Sequence, residues 1–175
     1  MKREIRTCLV NRDFEGIRAL AKKRKLVLSR LLALTYDPDE AICWSAVEGL
    51  GIASSVWVEK DVESVREFCR RLLWLVNDES GGVGWFVPQA LGVILGENHD
   101  SLGEFIPALL TVLDVENEKP ILLGMLWALG RIGPIHDDYI AQARERIRPY
   151  LSSGDPDVQA VAVESDRQLS GGCEA

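Results

Sequence analysis

An internal repeat of about forty residues constrains the fold of this chain more than any other feature of its sequence. Each copy begins with an acidic stretch, and an apolar, helix-like segment follows it. The copies start at Asp37, Asp78, Glu116 and Asp155, at intervals of 41, 38 and 39 residues. A Leu-Gly pair lies thirteen positions after each of the first three starts, whereas the fourth unit lacks it. A period of this length is typical of solenoids, in which similar units stack side by side.

Each unit is long enough for two helices. The acidic start offers a helix N-cap and a negative charge near the positive end of the helix dipole, and the Leu-Gly pair predicts the end of the first helix. In residues 61–76, apolar side chains recur at spacings of three and four, which is helical periodicity. Second helices are also predicted at 101–113 and 137–151. The chain is therefore predicted to be all-α, a short right-handed superhelix of antiparallel helix pairs that forms a single domain. The predicted units are a partial leading unit 1–36, repeats 37–77, 78–115 and 116–154, and a degenerate terminal unit 155–175.

Three features carry a family resemblance: the acidic starts, the Leu-Gly pairs, and a second helix with the sequence IPALLTVLD at 106–114. Together they resemble the HEAT-like repeat superfamily, in particular the short repeats named after phycobilisome lyases (PBS lyase HEAT-like repeats). Such repeats usually carry a Val-Arg step early in the first helix. The corresponding pairs here are Ile42-Cys43, Val83-Gly84, Ile121-Leu122 and Ala160-Val161, so the chain resembles a divergent member. The resemblance implies that the first helix of each unit lines the concave side of the solenoid.

The first helices carry large aromatic side chains where a solenoid usually has polar ones. The residues five, nine, twelve and thirteen positions after each start form an apolar stripe, which predicts the buried face. Trp44 and Trp85 occupy the same position outside that stripe, and Trp127 lies one turn further along its helix. Aromatic patches often mark binding sites on soluble proteins. We therefore predict a partner-binding groove formed by Trp44, Glu48, Trp85, Phe86, Gln89, Leu123 and Trp127.

Two alternatives remain open for these rings. Aromatic side chains at helical spacing are commonly core residues, so the alternative to a displayed patch is a buried one. Pro88 disfavours a continuous helix, because proline removes a hydrogen bond and clashes with the preceding turn. Either the helix begins near Pro88, which leaves Trp85 and Phe86 in a loop, or it is kinked there. Trp74, between two leucines of an outer helix, is predicted to be core.

Charge is divided unevenly along the chain. The first thirty residues carry ten basic and three acidic side chains, a net charge of +7. Because the net charge of the whole chain is −7, the remaining residues have a net charge of −14. The basic segment is interpreted as a solvated helix, with an anion-binding arm or a head-to-tail contact between molecules as alternatives. The acidic remainder disfavours nucleic-acid binding, which requires a basic track. The longest apolar runs are shorter than the roughly 20 residues of a membrane span, and no secretory signal is recognised at the N-terminus.

Residues suited to catalysis are sparse. The four cysteines form no CxxC pair and are expected to be free thiols in a reducing cytoplasm. The two histidines, His99 and His136, lie in predicted turns without a spaced partner that would complete a metal site. We predict a non-catalytic, cytoplasmic interaction module without cofactor or metal, whose aromatic groove binds a peptide or helix that carries basic or polar groups. The alternative is an accessory or lyase-type enzyme subunit that handles a hydrophobic or tetrapyrrole cofactor.

Overall fold

The structure, a computed structural model, describes residues 1–76, 86–115 and 118–171, and these residues form helices joined by turns. The α-helices, in chain order, are α1 Lys2–Val10, α2 Phe14–Lys23, α3 Leu26–Leu34, α4 Glu40–Val76, α5 Val87–Glu97, α6 His99–Leu102, α7 Ile106–Val115, α8 Lys119–Ile132, α9 Asp137–Ile147 and α10 Pro156–Leu169. Short 3-10 helices at Gly103–Phe105 and Arg148–Ser152 precede α7 and follow α9. The described part of the chain contains no strand, so the predicted all-α class is confirmed.

Helix α4 contains the first two helices of the repeated region, joined by a sharp bend. The backbone is non-helical at Asp61, with φ −160° and ψ 79°. The Asp61 carboxylate accepts hydrogen bonds from the backbone N–H and the hydroxyl of Ser64, as an N-cap does. Residues 40–60 are therefore the first helix of the unit, and 62–76 are its second helix. Among the described helices, only α4 is long and apolar enough to cross a membrane, but 61% of its most apolar window is buried inside the solenoid.

The first helices of successive units form one continuous layer. Helix α4 packs against α5, α5 against α8, and α8 against α10, and these are the most extensive helix contacts in the described chain. The second helices form the other layer, in which α7 contacts both α4 and α9. The arrangement is an all-α superhelix, in which each unit packs mainly against its neighbours. Helices α1, α2 and α3 pack along the first helix of α4, where Leu9 and Leu31 lie against Gly49 and Trp57 contacts α2.

The glycines of the Leu-Gly pairs lie inside the first helices, so the prediction that they end these helices is wrong. Gly51, Gly92 and Gly130 lie within α4, α5 and α8. A Cβ atom on Gly92 would lie 2.7 Å from the Cα of Ala128, and one on Gly130 would lie 2.7 Å from the Cα of Ser165. Glycine at this position therefore allows the first helices of neighbouring units to pack backbone against backbone.

The apolar stripe of the first helices is buried as predicted. The described stripe residues that are under 9% exposed are Ile42, Ala46, Gly49, Leu50, Val87, Ala90, Leu91, Ile121, Met125, Ala128 and Leu129. The prediction for Trp74 is wrong, because its side chain is 64% exposed. The buried stripe of its helix includes Leu72 and Val76, and a residue two positions from Leu72 points about 200° away from it. Trp57 is half-buried, and its indole N–H donates to the carbonyl of Ala21 at 2.9 Å, which ties α4 to α2.

Candidate functional site

A groove of about 550 Å³ crosses the layer of first helices. Its described lining comes from the start of α4, from α5, from α8 and from α10, and consists of Asp37, Pro38, Glu40, Cys43, Trp44, Phe86, Gln89, Pro120, Leu123, Trp127 and Val161. Helices α4 and α8 both begin three positions after the start of their units, but α5 begins nine positions after its start. Pro88 lies in the first turn of α5, where its missing N–H has no intrahelical partner to lose. The alternative in which the helix begins near Pro88 is therefore the observed one.

Three aromatic rings from three successive units meet in the groove. The ring centroids of Trp44 and Phe86 are 5.1 Å apart and the rings are perpendicular. Trp44 and Trp127 are 5.3 Å apart with an interplanar angle of 57°. Both geometries are favourable for aromatic pairs. All three side chains are half-buried, so they pack on one another and also line the open groove. The rings are neither fully displayed nor sealed in the core.

The indole of Trp44 is fixed in place by a neighbouring acid. Its N–H donates to the Oε1 atom of Glu40 at 3.2 Å, one turn earlier in α4. The other oxygen of Glu40 makes no hydrogen bond or ion pair with the described residues. The ring faces are therefore held in position while the carboxylate can still accept hydrogen bonds from a ligand.

The rim of the groove is acidic. Asp37 accepts a hydrogen bond from the backbone N–H of Asp39 at 3.1 Å and pairs with Arg6 at 3.4 Å. The Asp39 N–H, helped by Arg6, lowers the pKa of the Asp37 carboxyl, which therefore stays charged at neutral pH. No lysine or arginine is among the lining residues that the structure describes. Asp37 is thus paired with Arg6, whereas Glu40 has no cationic partner among the described residues, so the groove presents aromatic surface beside the charge of Glu40.

Gln89 provides a neutral polar group on the groove floor. Its side chain is 8% exposed, and its Oε1 atom accepts no hydrogen bond from the residues that the structure describes. The amide lies against Gly124, where an added Cβ would approach Oε1 to 2.7 Å. Glycine at 124 therefore makes room for the Gln89 side chain between α5 and α8.

Glu48 continues the acidic surface beyond Trp44. It lies one turn further along α4 and is 3.8 Å from Arg131, which also pairs with Glu97 at 3.0 Å. Arg131 thus connects the first helices of three consecutive units. The pair with Glu48 is long and partly exposed, so it contributes little to stability.

Five of the seven predicted site residues line the groove: Trp44, Phe86, Gln89, Leu123 and Trp127. Glu48 lies next to the groove, and Trp85 is outside the described residues. The expectation that Gln89 is on an open helix face is wrong, because the side chain is buried against Gly124. The predicted set did not include the other six lining residues, which are Asp37, Pro38, Glu40, Cys43, Pro120 and Val161. The thiol of Cys43 donates to the Asp37 carbonyl at 3.1 Å, and burial raises its pKa.

The histidines lie outside the groove lining. His136 is the N-cap of α9, where its Nδ1 accepts from the backbone N–H of Tyr139 at 3.1 Å. His99 begins the short helix α6. Among the residues that the structure describes, no three His, Cys, Asp or Glu side chains are grouped so that they could hold a metal ion.

Comparison with known proteins supports the fold and no closer relationship. No protein-family model matches the sequence, and no curated protein is significantly similar to it. The designed armadillo repeat protein YIII(Dq)4CqI has a similar structure, with a TM-score of 0.54, 19% identity, and coverage of 89% of this chain and 74% of that one. A second designed armadillo repeat protein, YIII(Dq.V1)4CPAF, was solved in complex with the peptide (KR)4; it has a TM-score of 0.54, 17% identity, and coverage of 94% of this chain and 80% of that one. An archaeal HEAT-like repeat protein from Thermococcus onnurineus NA1 has a TM-score of 0.42 and 18% identity, with coverage of 93% and 62%. The chain therefore has an all-α repeat solenoid fold similar to that of designed armadillo repeat proteins.

Proposed function

We propose that this protein is a non-catalytic, protein-binding scaffold whose groove holds a peptide or helical segment of a partner that carries basic residues. The observation that carries the proposal is the meeting of three half-buried aromatic rings, from three successive units, beside an acidic rim. Rigid aromatic surface is the usual anchor of a protein interface. The negative charge provides complementarity toward basic segments and disfavours acidic ones.

The structural comparisons are consistent with this proposal. A designed armadillo repeat protein of similar fold was solved with a peptide of alternating lysine and arginine. That protein is 17% identical to this chain, so the likeness extends to the fold, while the binding assignment rests on the groove itself. We further propose that the chain is a divergent member of the PBS lyase HEAT-like repeats and that it acts in the cytoplasm.

A planar hydrophobic cofactor is the second candidate ligand. The groove volume of about 550 Å³ and the aromatic lining favour such a molecule. The carboxylates of Asp37 and Glu40 disfavour a tetrapyrrole, because such pigments carry carboxylates of their own and like charges repel. Visible absorbance of the protein purified from its native cells tests this candidate, since a copurifying chromophore would support it.

Selection from a displayed library of peptides tests the scaffold function. We expect the wild-type protein to enrich peptides that share basic residues. Affinity for the enriched peptides should fall at least tenfold in the Trp44→Leu variant, because truncating a central aromatic anchor costs about 2 kcal/mol or more. Trp74→Leu is the matched control, since Trp74 is an exposed indole on the opposite layer.

A charge-reversal variant guards against loss of folding. The Glu48 side chain is 40% exposed and its ion pair with Arg131 is long at 3.8 Å, so Glu48→Lys should remain folded by circular dichroism while affinity for basic peptides falls. Peptides that bind Trp44→Leu and Glu48→Lys as tightly as the wild type would refute binding through the groove.

A further inference from the structure

The groove differs from a purely hydrophobic cleft in the position of its charges. Two carboxylates, those of Asp37 and Glu40, lie among the lining residues, and the described lining contains no basic side chain to neutralise them. Asp37 is already engaged by Arg6 and by the N–H of Asp39. Glu40 uses one oxygen for the Trp44 indole, and its other oxygen has no partner in the described chain. Glu40 is therefore the acid that remains available to a ligand.

The available oxygen of Glu40 lies beside aromatic faces that are already ordered. Trp44 is held by its hydrogen bond to Glu40 and by its contacts with Phe86 and Trp127. A cation placed over an indole face is attracted by the ring quadrupole, and more strongly where water is excluded. Because the rings are fixed before binding, little side-chain freedom is lost when a ligand stacks on them.

We propose that this part of the groove, formed by Glu40, Trp44 and Trp127, is the binding site for an arginine side chain of the partner; the proposal rests on the function proposed above. A planar guanidinium stacks on an indole and donates parallel N–H bonds to a carboxylate at the same time. A lysine ammonium is a compact, strongly hydrated charge that cannot make the stacked, two-bond contact.

Other side chains satisfy fewer of these groups. An aliphatic side chain fills the groove but gives the charge of Glu40 no cation and its second oxygen no N–H donor, so removal of water from that oxygen is unfavourable. A trimethylated lysine has the charge but no N–H to donate. Citrulline has nearly the shape of arginine and retains N–H groups, but it is uncharged. Comparison of arginine with these three side chains and with lysine therefore separates the effects of shape, charge and hydrogen bonding.

Titrations monitored by nuclear magnetic resonance on the full-length, nitrogen-15-labelled protein test the proposal. The probes are the Nα-acetyl, N-methylamide derivatives of arginine, lysine, trimethyllysine, citrulline and norleucine. We expect the arginine derivative to shift the indole signals of Trp44 and Trp127 and the side-chain amide of Gln89 in a saturable way. Its affinity should exceed that of citrulline and norleucine about tenfold and that of lysine and trimethyllysine about threefold.

The variant that isolates the charge is Glu40→Gln. Glutamine keeps an acceptor for the Trp44 indole but removes the negative charge, so arginine affinity should fall about five- to tenfold while citrulline affinity is unchanged. Glu59→Gln is the matched control, because Glu59 is an exposed acid of the same helix, about 28 Å further along its axis. It should bind the arginine derivative as the wild type does.

The failure of this inference is distinct from the failure of the proposed function. No saturable shift at Trp44 and Trp127 up to the solubility limit of the arginine derivative, equal affinity for lysine or citrulline, or full affinity in Glu40→Gln would each overturn the arginine site. Trp44-dependent binding of library peptides would still support the scaffold function in that case. Conversely, library peptides that bind the Trp44→Leu variant as tightly as the wild type would refute that function. The arginine titration is a separate test, because it is followed by the indole signals of Trp44 and Trp127 in the wild-type protein.

Discussion

Replacement of Gly92 by alanine tests whether the first helices really pack backbone against backbone. The new Cβ would lie 2.7 Å from the Cα and 2.8 Å from the Cβ of Ala128, whereas unstrained carbon atoms are about 3.5–4.0 Å apart. Relief requires α5 and α8 to separate by about 1 Å, since the obstacle is backbone and not a flexible side chain. Overpacking of this kind costs about 1–3 kcal/mol.

Helix propensity acts in the opposite direction. Alanine is better than glycine in a helix interior by about 0.8–1 kcal/mol. Subtracting this gain from the cost of overpacking, we expect Gly92→Ala to lower the free energy of unfolding by about 1–2 kcal/mol. This value is near the upper end of the subtracted range, because the new Cβ clashes with backbone atoms. For a domain of this length that corresponds to a decrease in Tm of roughly 2–8 °C.

The same motif supplies the control. Gly51 occupies the equivalent position in the first repeat, but its added Cβ would meet the flexible Glu97 side chain at 3.3 Å and Val93 at 3.4 Å. Gly51→Ala should therefore be neutral or slightly stabilising. Gly103→Ala, with no atom within 4 Å of the added Cβ, should not be destabilising.

Denaturant unfolding followed by circular dichroism and by tryptophan fluorescence measures the three variants. Coincidence of the two probes establishes whether a single unfolding free energy can be assigned, since repeat proteins can lose cooperativity. A Gly92→Ala variant as stable as Gly51→Ala would refute the close approach of the helices and leave helix propensity as the dominant effect.

Three further outcomes follow from individual contacts. A hydrogen bond from a lysine of α8 lowers the pKa of Asp155 below its usual 3.8. This carboxylate therefore stabilises the fold above pH 3.8, and its contribution is lost as the pH falls through the pKa of the folded state. Asp155→Asn can still cap α10 but cannot titrate, so the decrease of Tm between about pH 5 and pH 3 should be smaller in this variant. Burial raises the pKa of Cys69 to about 12. Mass spectrometry after alkylation at pH 8 should therefore find Cys69 unmodified in the native protein and modified in denaturant, whereas the partly exposed Cys8 should react in both states. Equal labelling of the two cysteines in the native protein would contradict the burial of Cys69. Trp57→Phe should lower the free energy of unfolding in denaturant by about 1 kcal/mol, because the indole hydrogen bond to α2 is removed. Trp74→Phe, at an exposed position, should change it by less than about 0.5 kcal/mol. A larger loss in Trp74→Phe than in Trp57→Phe would contradict the burial assigned to these two side chains.

The fold was predictable because the same sequence pattern recurs in successive units of the chain. Acidic starts, an apolar stripe and helical spacing agree in successive units, and agreement across units outweighs the ambiguity of any one segment. The Leu-Gly pairs were misinterpreted for a physical reason. Glycine after an apolar run is a local signal for the end of a helix, but here Gly92 is required by Ala128 in the next repeat. A pattern within one unit cannot distinguish a helix end from a close contact between units.

Trp74 shows the limit of reasoning from chain neighbours. It was assigned to the core because leucines flank it, yet adjacent residues of a helix are separated by about 100° and cannot all face the same side. The buried stripe through Val65, Cys69 and Leu72 leaves Trp74 on the opposite face. The position of each residue relative to this stripe, which is readable from sequence, is the better predictor of burial.

The candidate site was only partly predictable, because it depends on where neighbouring helices begin relative to one another. The sequence predicted that Trp44 and Trp127 belong to one groove, but the distance and angle between their rings depend on how α4, α5 and α8 pack together. Pro88 lies in the first turn of α5, and α5 begins later in its unit than α4 and α8 begin in theirs. The described lining of the groove comes from the start of α4 and from α5, α8 and α10, so four helices must pack together before the groove exists. Because the surface of each unit in a solenoid depends on its neighbours, the sequence of one unit alone does not specify this groove.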